Sequence, residues 1–389
     1  MLLITFSNKA MKNNKKIVWL SVVLVVLVVA WMLIENSKND QSSIKVGADL
    51  ALTGNLAYIG VAEMNGLILA NEEINKSGGL LGRKLEVVVE DNQGDPKVAV
   101  TGMEKLLSLG NPDFVFTAFT SVTQAVKARV AESGKLLIYA STVREIAQEN
   151  NNFFVDYYDG QTHGTALAKE FSKSGFKKYN LLVEKSDSCN VVAKAFTDEA
   201  TVFGISENKS ETFDPANKDF RTALLKLKSG DYPIVMCTWR SEDLVMKQMK
   251  ELNMINTPTY HFIAPFLPNS TTPETLSLFA ENKTVSTWYG IDMNKTETNQ
   301  KLKAFINDYK QRFKIDATSD AAYAYDDMYA LKAAVELCQN TNTECVSSKL
   351  KDVKIDGVGG VLSFNLDRAS ERESLIIQRE GNVWKQLSM

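Results

Sequence analysis

Residues 44–60, IKVGADLALTGNLAYIG, followed by 61–96, VAEMNGLILANEEINKSGGLLGRKLEVVVEDNQGDP, decide the fold. The apolar run Ile44 to Leu50 ends in a loop of small residues, Thr53 to Gly60. A helical pattern follows, with Met64, Leu67, Ile68 and Ile74 on one face. Lys76 and the pair Gly78-Gly79 stop it, because glycine accepts the left-handed backbone that a helix C-terminus needs. Leu85 to Val89 reads as a buried strand. This strand–helix–strand unit has a roomy first loop, which is where open α/β sheets hold ligands.

Working outward, alternation continues with almost no long linker. Asp95-Pro96 opens a helix, Asp as N-cap and Pro at the first helical position. Phe114 to Thr117, Leu136 to Tyr139, Tyr179 to Val183 and Ile234 to Cys237 read as strands; Val122 to Glu132, Thr165 to Lys173, Val191 to Val202 and Leu244 to Leu252 read as helices between them. Such alternation predicts an α/β protein with parallel sheets covered by helices on both faces. The tail differs, with short strands over Gly357 to Asn365, Leu375 to Arg379 and Val383 to Leu387. The chain of 389 residues, with net charge −3 and 44% hydrophobic residues, has material for two medium lobes with real cores. Its dispersed Lys and Arg give no footprint for nucleic acid.

Ile17 to Ile34, IVWLSVVLVVLVVAWMLI, carries no charge and as a helix spans about 27 Å, close to bilayer thickness. Lys12, Lys15 and Lys16 precede it, which keeps residues 1–16 cytoplasmic and exports the rest. The run is longer than the apolar core of a cleaved signal peptide and lacks a small-residue cleavage site. The expectation is a transmembrane signal anchor over 17–34 and a polar tether over 35–43, with a cleaved signal as the alternative. Export also bears on the cysteines. Cys338 and Cys345 flank QNTNTE between two helical patterns, where a disulfide would staple the corner; otherwise they are two free thiols. Cys189 and Cys237 read as single buried thiols.

The order LTG, YIG, NG, EEIN, GG, GRKLEVVVEDNQGDP, then FDPANKDFRTALLKLK, AYAYDDMYALKAAVE and GVGGVLSF, resembles the leucine/isoleucine/valine-binding receptors of ABC transporters, of periplasmic-binding-protein type I. The resemblance runs over nearly all of Ile44 to Asn382. It implies two doubly wound parallel-sheet lobes joined by three crossovers, closing on a ligand by hinge motion. Mapped here, lobe 1 comprises 44–158 and 290–355, and lobe 2 comprises 159–289 and 356–389.

Thr120-Ser121 and Ala140-Ser141-Thr142 stand at the ends of sequential strands, the first before a helix. Alone, each is a capping signal; hydroxyls and unbonded N–H groups at a helix N-terminus also suit a carboxylate. The resemblance implies the second role for Thr120, Ala140, Ser141 and Thr142, which match the family's carboxylate-holding positions. Tyr58 matches an aromatic pocket wall or is a loop tyrosine. Trp239 falls where the family often has tyrosine, and either walls the pocket or packs between lobes. Asp159, at the first crossover, reaches a ligand ammonium or caps the next helix. Two positions depart from the family pattern. Ser188 stands where a tyrosine is common, which enlarges the cleft or admits a more polar ligand. HFIAPFLPNS (261–270) offers no acid where amino-acid receptors usually place one. A buried ammonium without a carboxylate is costly, so Asp159, Glu242 or Asp243 substitutes, or the ligand is not a zwitterion.

No enzyme signature is present: His163 and His261 belong to no HExxH or Cys/His cluster, and there is no nucleophile elbow or phosphate-binding lysine loop. His163 is expected to face solvent. The sequence therefore points to a monomeric, non-catalytic, extracytoplasmic receptor without cofactor or metal. It would deliver a small amino-acid-like solute to an ABC permease. The alternative is a sensing ectodomain that signals to a membrane partner; a hydrolase would need a nucleophile–base pair that the sequence does not show.

Overall fold

In the computed structural model, residues 43–228, 232–238, 241–262 and 272–387 are described. The 17–34 segment and Trp239 lie outside them, as do residues 263–271; among the described residues no helix is long and apolar enough to cross a membrane.

The first sheet contains β1 (Ile44–Leu50), β2 (Leu85–Asp91), β3 (Phe114–Ala118), β4 (Leu136–Ala140) and β5 (Phe153–Val155) in the order 2-1-3-4-5, all parallel. Order reverses at β1 and β3, so the loops after their C-terminal ends diverge and leave a crevice between them. The second sheet contains β6 (Lys178–Glu184), β7 (Ser206–Phe213), β8 (Ile234–Cys237), β9 (Thr259–His261) and β10 (Val285–Trp288). After a separate hairpin of β11 (Lys354–Gly357) and β12 (Gly360–Ser363), β13 (Leu375–Glu380) and β14 (Val383–Gln386) extend that second sheet antiparallel at its edge.

Side-chain pattern accounts for both layers. Val46, Ala48 and Leu50 of β1 are buried among Phe114, Phe116, Leu136 and Ile138, and the long helices Ala57–Lys76 and Ser319–Cys338 cover that core. These helices touch at Gly66, where a Cβ would stand 2.2 Å from the Ala321 carbonyl oxygen. Only glycine permits an approach so close. The helix begins at Ala57, so the expected loop is shorter than residues 53–60 and Tyr58 sits in the first helical turn. The hairpin 354–363 also joins the first core, through Val358, Leu362 and Phe364, rather than following residue 356 into the second body. Its anchor is Asp326, whose carboxylate accepts the Val358 and Gly359 N–H groups at 2.8 and 2.9 Å.

The chain passes between the bodies near residues 156–159, 289–292 and 371–374. Arg372, in the third of these passages, ties it to the first. Its Nε donates to Asp156 at 2.8 Å, Nη1 donates to Asp326 and to the Gly359 carbonyl at 3.0 Å each, and its guanidinium lies 3.9 Å from the Tyr323 ring centre. All three charged groups are essentially sealed from water, with side-chain exposures of 2%, 0% and 1%. Removing one partner of such a set leaves uncompensated buried charge. Arg372→Met is expected to cost about 3–5 kcal/mol in denaturant unfolding; a loss below about 1 kcal/mol would show the carboxylates to be neutralised some other way.

Candidate functional site

A cleft of about 670 Å³ opens between the two bodies. From the first body it is lined by Asn55, Leu56, Ile59 and Glu63 after β1, by Phe119, Thr120, Ser121 and Gln124 after β3, and by Ala140, Ser141 and Thr142 after β4. From the second come Glu184, Ser186, Asp187 and Ser188 after β6, with Pro215, Lys218 and Ser241. Thr120, Ser121, Ala140, Ser141, Thr142 and Ser188, singled out from sequence, thus meet around one space.

The helix Thr120–Ser133 starts in a way suited to an anion. Its N-cap is Phe119, with φ 67° and ψ 136°, and no side chain caps the first turn. A bulky residue at positive φ costs about 1–3 kcal/mol and marks a site where the surroundings enforce it. Here the Phe119 N–H donates to the Ala140 carbonyl at 2.8 Å, which pins the loop. Thr120 is therefore the first helical residue, not a plain cap. Its hydroxyl lies 2.7 Å from that of Ser141, whose oxygen also accepts the Val143 N–H at 3.0 Å. Thr142 and Ser188 pair hydroxyl to hydroxyl at 2.7 Å, across the cleft from one body to the other. Hydroxyls and uncapped N–H groups converging in this way can hold a carboxylate.

Other expectations are revised. Ile59, not Tyr58, stands among the cleft's lining residues, and Tyr58 lies one residue off in the first helical turn. Asp159 caps the helix Gly160–Lys173, accepting from the Gln161 and Thr162 N–H groups at 3.2 Å each, and lies 3.3 Å from Arg144. It borders a separate recess of about 10 Å³. Cys189 and Cys237 are not thiols but a disulfide, with Cα atoms 5.6 Å apart. Cys189 sits in the first turn of the helix Asp187–Val202, which packs over the C-terminal end of β8, a juxtaposition that a separation of 48 residues conceals. The bond fixes the residue next to Ser188. Cys338 and Cys345 are also joined.

Among the described residues, the cleft's carboxylates are Glu63, Glu184 and Asp187, and neither Glu242 nor Asp243 lines it. Glu63 had a readable signal: it stands four residues after Ile59 and four before Leu67, an acid on the apolar stripe of its helix. Among the described residues no group of three His, Cys, Asp or Glu side chains is placed to hold a metal ion.

Comparison with known proteins places the chain in context. The family model for periplasmic binding proteins matches residues 43–374. A Leu/Ile/Val-binding protein of Rhizobium johnstonii is 26% identical over 197 residues, 50% of this chain and 54% of its own. A leucine-, isoleucine-, valine-, threonine- and alanine-binding protein of Pseudomonas aeruginosa is 28% identical over 199 residues, 50% and 52% of the two chains. The chain thus spans about half the length of the curated relatives it matches. Among solved structures, a branched-chain amino acid transporter substrate binding protein from Streptococcus pneumoniae, in complex with isoleucine, superposes with TM-score 0.75 at 23% identity, covering 89% of this chain and 99% of the other. A solute binding protein of an ABC transporter from Rhodopseudomonas palustris, in complex with 3,4-dihydroxybenzoic acid, gives 0.75 at 17%, covering 89% and 96%. Likeness at these identities speaks for the fold.

His163, expected at the surface, is 1% exposed and stacks near Tyr158 and Tyr289, with ring centres 5.1 and 6.4 Å away. Burial pushes its pKa down to about 3, against the pull of Asp159. An imidazole kept neutral on folding but titrating near 6.5 when unfolded gives stability that is full above 6.5 and lost as pH falls toward 3. The His163→Gln variant is expected to show a melting temperature that declines less steeply than wild type between pH 6.5 and 4; parallel slopes would mean that the imidazole charges in the folded protein.

Proposed function

The chain belongs to the periplasmic binding protein family, whose members bind solutes and catalyse nothing, and we propose that it is an extracytoplasmic receptor which captures a small carboxylate-bearing solute, an amino acid foremost, and hands it to an ABC permease. The observation that carries this reading is the hydroxyl and N–H cluster of Thr120, Ser121, Ser141 and Thr142 around the uncapped helix start, within a cleft whose far wall belongs to the other body. Isoleucine and 3,4-dihydroxybenzoic acid, the ligands of the two structural neighbours, differ in size and charge but share a carboxylate. That common group fits the polar cluster, while Ile59, Leu56 and Phe119 give the apolar remainder a wall.

Capture would work by closure. The first body alone can hold the carboxylate, and the Thr142–Ser188 contact then joins the two lips. Ser188, with the disulfide immediately behind it, presents a short, wet lip where a larger side chain would fill space. A permease would read the closed arrangement of both bodies. The apolar segment 17–34 supplies a membrane anchor in this reading, which rests on the sequence alone.

Hydrogen bonds to a charged carboxylate are worth about 1.5–3 kcal/mol each. The double variant Thr120→Ala, Thr142→Ala is therefore expected to weaken calorimetric affinity for its carboxylate ligand by about a hundredfold or more, with a melting temperature near that of wild type. Undiminished binding would rule out the anion site. Closure itself can be read separately: Ser188→Ala is expected to change affinity by less than about tenfold and to act mainly on the dissociation rate.

A further inference from the structure

Behind the cleft floor lies a recess of about 20 Å³, room for one water-sized group. Glu63, Ala140 and Tyr157 line both spaces, so the recess continues the cleft inward. Its walls carry Glu63, Asp156, Asp320 and Asp327, and no Lys, Arg or His stands among its lining residues. Asp156 is satisfied by Arg372 on its far side. Asp320 accepts the hydroxyls of Tyr157 at 3.1 Å and Tyr289 at 3.0 Å. Glu63 is different: it is 5% exposed, and neither of its carboxyl oxygens has a hydrogen-bonding partner among the described residues. A carboxyl left so in a core costs stability unless something else meets it.

We propose that Glu63 and this recess form the subsite for the ligand's primary ammonium group, so that an α-amino acid is held carboxylate at Thr120 and Thr142, ammonium at Glu63. The subsite rests on the receptor reading above and supplies the acid that residues 261–270 lack. It has a protonic consequence. Burial, with Asp320 close by, holds the Glu63 carboxyl well above the ordinary range, toward its protonated form. Binding of R–NH₃⁺ then drives the Glu63 proton to solvent and leaves a carboxylate–ammonium pair, one proton released for each ligand bound. Among the described residues, the other groups facing Glu63 do not supply a rival cation. The helix Ser319–Cys338 presents Asp320, Tyr323 and Asp327; the first crossover presents Asp156, Tyr157 and Tyr158; the opposite wall presents Glu184, Asp187 and Lys218, the last at the exposed rim.

The test is calorimetry on the full-length chain with L-leucine and with 4-methylpentanoate, the same molecule without its amine. It is run at pH 7 in phosphate and in Tris, which differ in ionisation heat. For wild type we expect leucine to bind with about one proton released and 4-methylpentanoate with none. Glu63→Gln should weaken leucine by about thirtyfold or more, abolish the proton release, and leave 4-methylpentanoate within about threefold. That last result also shows the variant to be folded. The subsite is overturned if the variant binds leucine as wild type does, or if both ligands weaken in parallel. A wild type that takes 4-methylpentanoate or benzoate but not leucine also overturns it, with the receptor reading intact. Silence toward every carboxylate in the series removes the receptor reading and the subsite together.

Discussion

Everything described above depends on a buried charge set: Arg372 from the third crossover, held between Asp156 of the first and Asp326 of the helix Ser319–Cys338. Each ion has lost its water, and the opposite charges of the set compensate one another inside the core. Asp326 in turn holds the hairpin loop at Val358 and Gly359, so one network fastens two crossovers and the hairpin to one core. The second crossover is joined to it through aromatic rings. Tyr289 lies against Tyr157, Tyr158 and Tyr323, and shares the Asp320 carboxylate with Tyr157. The chain segments that any closing motion must flex are therefore rooted in a rigid base on one side.

The cleft is built on a contrast between satisfied and unsatisfied polar groups. On the first body's lip the hydroxyls of Thr120, Ser141 and Thr142 have near neighbours, Thr120 with Ser141 and Thr142 with Ser188. At the floor, Glu63 has none among the described residues. Pre-paired hydroxyls can be re-aimed at a ligand with little cost, whereas an unmet carboxyl favours whatever donates to it. The bent backbone at Phe119 belongs to the same economy, since it leaves the first turn of the following helix open instead of capped.

Much of the frame was legible from hydrophobic periodicity. The run 234–237 appears as β8 with the expected bounds, and the helix expected over 244–252 appears as Glu242–Glu251. Local pattern also located Thr120 and Ser141–Thr142 at strand ends. Failure came where partners are distant in sequence. Cys189 meets Cys237 only once a helix is laid over a strand of the sheet, and His163 is buried by Tyr289, more than a hundred residues away, as well as by its neighbour Tyr158. The boundary at 355/356, drawn from the resemblance rather than from any local pattern, cuts through the hairpin 354–363, whose Val358, Leu362 and Phe364 pack in the first core. For Tyr58 sequence offered a pocket wall or a half-buried tyrosine; a helix starting at Ala57 rotates each side chain by about 100° per residue, and it is Ile59 that stands among the cleft's lining residues.

Neither body is made from one continuous stretch of chain. The first sheet is finished early, yet one of its two long covering helices, Ser319–Cys338, comes only after residue 300, and the second sheet receives β13 and β14 only at 375–386. Both cores thus wait for the last quarter of the polypeptide. During synthesis the growing chain holds two incomplete halves, each exposing apolar faces, and neither can commit before the other. Order of manufacture and order of assembly are uncoupled here, and a nascent chain released a few dozen residues short would lack both the strands that finish the second sheet and Arg372, which fastens the first body.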